Sequence, residues 1–197
     1  MRSGWLLFFT VGLTTLAISA ALSLASRSLL SVLQLGPSFV LLLFIIGIGV
    51  ACDIVGVAAT AADEMAMHAM AADKVAGARQ AVWLVRHADR VASFANDLMG
   101  DVAGTLSGAV AAIIVVRIGT AASSLGIPEA LLSALVLGLT AGLTVGGKAV
   151  GKRLAIRRAN TVVAFTGWML WGVERLFGVS LGADGHAKKA RAARRRR

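Results

Sequence analysis

Three carboxylates and a lysine lie in stretches of this sequence that are otherwise apolar. Asp53 sits amid Ala51, Cys52, Ile54 and Val55, and Thr60 and Glu64 fall on its face at helical spacing. Asn96, Asp97 and Asp101 open a second apolar stretch, with Thr105 and Ser107 deeper in it. Thr140, Thr144 and Lys148 share one face at the end of a third. Asp97 and Asp101 are one helical turn apart, so they face the same way. A carboxylate inside a lipid bilayer costs about 2.5–3.5 kcal/mol on insertion scales, so such groups face an interior and have partners. Two chemistries suit this set. In one, Asp53 and Asp101 are ligands of a hard divalent cation such as Mg²⁺, with Asn96, Thr105 and Thr144 as supporting oxygens. In the other, the carboxylates form a structural ion-pair network with Lys148 as counter-charge, and no ion is bound. Asp97 has a simpler use as well, at the positive end of its helix. On sequence both readings stay open.

The elements that position these residues follow from composition. Of 197 residues, 57% are hydrophobic and 15% charged, and the mean hydropathy is +0.80. Soluble domains carry about 25% charged residues and must cover their surface with polar groups. Lipid as solvent removes that conflict. The expected fold class is therefore all-α: a polytopic membrane protein of about four transmembrane helices, with amphipathic juxtamembrane helices on the cytoplasmic side. A span needs about 20 apolar residues. The candidates are Trp5 to Ala25, Pro37 to Ala62, Phe94 to Ile118, and Ile127 to Gly147. The first exceeds a signal-peptide core of about 7–15 residues, so a retained helix is expected over a cleaved leader. Pro37 and Pro128 stand at helix starts, where a missing N–H does no harm.

Positive charge orients the spans. Of the 20 basic residues, thirteen lie from Lys148 onward, ending in Arg194 to Arg197. The segment 63–93 adds Lys74, Arg79, Arg86 and Arg90, while the other loops are nearly free of them. Both termini and that segment are expected to be cytoplasmic, in the cell membrane. The basic run follows directly on apolar segments, so its expected partner is anionic lipid head groups and not nucleic acid. Residues 63–93 mix charges with Met65, Met67, Met70, Val82 and Leu84, which predicts one or two amphipathic helices broken near Gly77. Residues 149–178, with Trp168, Trp171 and Phe177, have the same character. From Ser180 the chain is Gly, Ala and basic residues, and is expected to be disordered.

Gly100, Gly104 and Gly108 recur every four residues, as do Gly138, Gly142 and Gly146. In lipid such rails let helix backbones approach, so helix packing is their expected role. Other motifs carry little. Gly146 to Arg153 is similar to a Walker A loop, but Arg153 stands where Ser or Thr is required. The single cysteine, Cys52, reads as a packing residue. His68 and His87 read as interfacial. No catalytic constellation is present, so an enzyme is the least supported class and no cofactor is expected beyond Mg²⁺ as a bound or transported ion.

The order of these features resembles the transmembrane domain of the CNNM/CorB magnesium transporters. Ala51-Cys52-Asp53-Ile54-Val55 stands where that family has a polar start to one span. Met70 to Ala81 is similar to its Leu-Ala-Glu-Glu-Gly-x-x-x-Ala-Lys-x-Ala stretch. Gly100-Asp101 matches its Gly-Asn, and Gly147 to Ala155 its Gly-Glu-x-x-Pro-Lys. The likeness covers roughly residues 38 to 178. It departs at Lys148, which replaces the Glu, and at Gly151, which replaces the Pro. An extra span precedes the domain and paired CBS domains do not follow, so a short stand-alone branch fits best. Three segments result: 1–35, an extra helix and connection; 36–178, the family-like domain; and 179–197, a basic tail. The resemblance implies divalent-cation transport, or a transport-related role, in a homodimer. The alternative is a membrane scaffold in which the Asp–Lys groups only hold the fold.

Overall fold

The computed structural model describes residues 9–10, 12–21, 24, 35–123 and 128–177. These are helical apart from short connections, and no strand occurs among them. The expected first span lies partly outside them; within it Gly12–Ala21 (α1) is an apolar helix. The expected tail, 179–197, lies outside the described residues altogether.

Three helical stretches are long and apolar enough to cross a membrane: Leu35–Ala61, Ala88–Gly119 and Glu129–Arg157. The first is α2, with Pro37 in its opening turn and Asp53 as its only charged residue. Next come α3 (Glu64–Ala72), α4 (Ala78–Arg86) and α5 (Ala88–Ala92), followed by a π-helical segment, Ser93–Met99, that runs into α6 (Gly100–Ser123). Then follow α7 (Glu129–Arg157) and α8 (Ala159–Phe177).

The helix opened by Pro128 does not end at Gly147, where the apolar run stops. It continues ten residues further, to Arg157. The reason is packing: Gly147 and Gly151 lie against Val50 and Ile54 of α2, so the contact surface outlasts the apolar run. The basic residues of its last turns also suit the negative end of the helix dipole. Lys148 and Lys152 therefore stand on one continuous helix.

The chain divides into two units. One comprises residues up to 54 with 93–153. Its core joins Leu42, Ile45 and Ile46 of α2 to Ala103, Leu106, Val110, Ala111 and Ile114 of α6. Both rows follow the three-and-four spacing of a helix face. The axes come close at Gly49, where an added β-carbon would stand 2.9 Å from the Ala103 side chain.

The other unit comprises residues 55–92 with those from 154 on. Asp63 caps α3 by accepting from the Met65 N–H at 2.9 Å, and its own N–H donates to Asn160 Oδ1 at 2.8 Å. The expected break near Gly77 is present, with Gly77 in the left-handed region at φ 82°. There α4 packs on α8, burying Ala78, Ala81 and Leu84 with Val163. Gly77 and Gly167 allow this, because a β-carbon on Gly167 would meet Gly77 O at 2.6 Å. Away from that contact, α8 exposes Phe165, Trp168, Met169, Leu176 and Phe177. An apolar row of this kind beside basic residues suits a lipid interface.

Candidate functional site

Asp53 is the polar centre of the first unit. It is 1% exposed, about two-thirds of the way along a helix that offers no other charge. Two residues of α7 supply partners. Lys148 Nζ stands 3.6 Å from Asp53 Oδ2 and Lys152 Nζ 3.7 Å from the same oxygen. The lysines are four residues apart and so share a face. The Lys148 ammonium also donates to Gly100 O at 3.4 Å. Lys152 is half exposed, so its charge stays near water while its stem covers apolar surface.

The energetics explain why a buried carboxylate is tolerated. Opposite unit charges about 4 Å apart attract by about 4 kcal/mol at an effective dielectric near 20. Insertion costs about 2.5–3.5 kcal/mol for each ion, so the pairing offsets the burial of the carboxylate without turning it into a net gain. The pairs are nevertheless too long to be hydrogen bonds. Both Asp53 oxygens are buried and accept no hydrogen bond, and neither does the buried Oδ1 of Asn96.

Gly100, the first residue of α6, closes the other side. A β-carbon there would lie 2.7 Å from Asp53 Oδ1, 3.2 Å from Lys148 Nζ and 3.6 Å from Ala95 O. The π-helical segment just before it belongs to a class of helix defects that recurs at functional sites. The result is a small oxygen-lined point, made of the Asp53 carboxylate and the Gly100 carbonyl, with an ammonium already in it.

The remaining expected site residues fall elsewhere. Asp101 is exposed, as is Asp97, and neither forms an ion pair among the described residues. Thr105 Oγ1 donates to Val102 O at 2.9 Å and Thr144 Oγ1 to Thr140 O at 2.8 Å, each within its own helix. Among the described residues no three His, Cys, Asp or Glu side chains gather as a metal-ligand group. Of the two glycine rails, only Gly100 is at a close approach among the described residues. Gly104, Gly108, Gly138, Gly142 and Gly146 face open space. The other close approaches described in this unit fall on Gly49, Gly147 and Gly151.

Lys152 is a site residue that the sequence reading misses. Its signal is the four-residue spacing from Lys148, hidden when the span is ended at Gly147.

No family model matches the chain, and neither a curated protein nor a solved structure matches it. Fold and site together define a class: an all-α integral membrane protein with a buried, lysine-paired carboxylate in its bundle.

Proposed function

We propose that this chain is a cation-transport-type membrane protein of the divalent, Mg²⁺ class, acting in transport or in a transport-related role. One observation carries the reading: Asp53 is a nearly fully buried carboxylate in a spanning helix whose oxygens accept no hydrogen bond and lie beside a backbone carbonyl. Anionic and carbonyl oxygens at a water-poor point are what a hard cation takes as ligands. Asp53 is the principal ligand, and Asn96 is a supporting candidate by its buried Oδ1, which has no hydrogen-bond partner. Asp101, Thr105 and Thr144 are assigned no contact in the conformation described. The order of motifs shared with the CNNM/CorB transmembrane domain supports the same reading. It also supports a homodimer, and the placement of the basic residues supports a cell-membrane orientation with both termini cytoplasmic.

The test is thermal unfolding of the purified protein in lipid nanodiscs across a Mg²⁺ series. A ligand that binds only the folded state stabilises it by about 2.7 kcal/mol at 100 times its Kd. A rise in Tm with Mg²⁺ that vanishes in Asp53→Asn is expected. A flat response to Mg²⁺, Mn²⁺ and Ca²⁺ in both the natural chain and its Lys148 variants would overturn the proposal.

A second reading has an observation of its own. Two ammonium groups share one Asp53 oxygen, so the carboxylate is already compensated with no further cation. In that reading the protein is a membrane scaffold and Asp53 only fixes α7 against α2. Exchanging the charges, Asp53→Lys with Lys148→Asp, separates the two. Recovered stability with unaltered cellular Mg²⁺ content favours the scaffold.

A further inference from the structure

We propose that Lys148 is a tethered occupant of the Asp53 site, and that a divalent cation enters by displacing its ammonium. This inference rests on reading Asp53 as a cation site. Lys148 Nζ stands 3.6 Å from Asp53 Oδ2 and 3.4 Å from Gly100 O. A charge-assisted hydrogen bond would be about 2.7–2.9 Å. The ammonium therefore sits between the two oxygens without being locked to either. Its side chain is 22% exposed and not sealed in, and a lysine stem has four flexible carbons with which to withdraw. Asp53 Oδ1 accepts no hydrogen bond and lies against Gly100. An oxygen is thus present with no hydrogen bond to give up to an entering cation.

Lys152 makes the exchange feasible. It holds the same carboxylate oxygen from the half-exposed side, so Asp53 keeps a counter-charge while Lys148 leaves. A divalent ion and the Lys148 ammonium are both cations and would need the same small space. Occupancy by one excludes the other. Lys148 thereby sets the affinity of the site and acts as its built-in competitor.

The experiment compares the natural chain, Lys148→Gln, Lys148→Arg and Lys152→Gln, each in nanodiscs, by Mg²⁺ titration followed through Tm and tryptophan fluorescence. A competitor in place about nine-tenths of the time weakens apparent binding about tenfold. The half-saturating Mg²⁺ concentration should fall about tenfold in Lys148→Gln. It should stay near the natural value in Lys148→Arg, which keeps the charge, and shift less in Lys152→Gln. Equal half-saturation in the natural chain and Lys148→Gln would overturn the competitor role and leave the cation site standing. Loss of the Mg²⁺ response in Lys148→Gln alone would also overturn it, by making Lys148 a support of the site. No response in any of the four would overturn the cation site itself. Should Lys148→Gln fold poorly, Lys148→Met is read against the same Lys148→Arg control.

Discussion

Gly100 and Asp53 are fitted to one another so closely that a β-carbon on the glycine would lie 2.7 Å from the carboxylate oxygen Oδ1. The glycine is needed for the space it leaves and not for its backbone freedom, since it sits in ordinary helix. Overpacking of this kind typically costs about 1–3 kcal/mol. Gly100→Ala should therefore lower stability by about that amount and disturb any Mg²⁺ response. Gly104→Ala, whose β-carbon meets nothing within 4 Å, should be neutral or gain up to about 1 kcal/mol from helix propensity. Unfolding of the two variants in parallel checks the contrast; equal effects would show the fit to be unimportant.

The two lysines on Asp53 back each other up. Removing one leaves the carboxylate paired, so Lys148→Met and Lys152→Met should each cost about 1 kcal/mol or less. Removing both leaves a buried, unpaired charge, which costs about 3–5 kcal/mol. The double variant should therefore lose far more than the sum of the singles. Additive losses would mean that only one lysine is engaged.

Gly77 is required for both conformation and space. Its φ is 82°, and a β-carbon would stand 2.5 Å from the Trp168 backbone. Left-handed strain of about 1–3 kcal/mol adds to the overlap. Gly77→Ala should destabilise by about 3 kcal/mol or more and loosen α4 from α8. Hydrogen exchange along residues 78–86 reads this directly, and unchanged protection would contradict the packing described.

Glu64, outside the membrane-spanning helices, is held below its ordinary carboxylate value, first by the hydrogen bond from Arg86 and then by His68. Its contact with Arg86 Nε is 2.9 Å long. A carboxyl lowered in the folded state stabilises above its unfolded value and loses that contribution as pH falls through the folded one. The contribution is therefore complete at neutral pH and fades below about pH 4.5, the ordinary value. The site is exposed, so the effect is small. Arg86→Gln should flatten this acid limb of Tm against pH by lowering the neutral plateau slightly, while the acid end stays where it is.

Gly138, Gly142 and Gly146 line an open face of α7, and only 6% of its apolar window is buried within the chain. If a second copy packs there in the proposed homodimer, Gly142→Leu should give monomers without lowering the stability of the single chain. Mass photometry in nanodiscs distinguishes this from an α7 that faces lipid alone, for which the oligomeric state would not change.

Much of this architecture is legible from sequence because a bilayer imposes simple rules. Apolar length marks α2, α6 and α7, and Gly77 marks the break before α4. Asp53 and Lys148 are visible as charges in apolar runs, and their pairing is one of the two readings that the sequence leaves open. The phase of α6 is not visible. A π-helical segment accommodates about one extra residue, which turns the remainder of the helix by about 100° relative to an unbroken one. Nothing in Ser93 to Met99 announces it by composition, and Asp101, expected to face an interior because a carboxylate in lipid is costly, is in fact exposed. Glycine periodicity marks a uniform face and does not say whether that face meets this chain or a second copy. The contacts fall at Gly49, Gly147 and Gly151, where a neighbouring side chain and not a repeat decides.

The unbroken length of α7 has a consequence for the membrane around it. Its 29 residues rise about 43 Å at 1.5 Å each, against about 30 Å of hydrocarbon. About nine residues must extend past the acyl chains, or the helix must tilt. Lys148 and Lys152 lie within ten residues of its basic end, at the depth where a change in acyl-chain length is felt first. A thicker bilayer draws their ammonium groups toward lipid and toward Asp53, and a thinner one offers them water. Lipid chain length thereby becomes a handle on how firmly the Asp53 carboxylate is held.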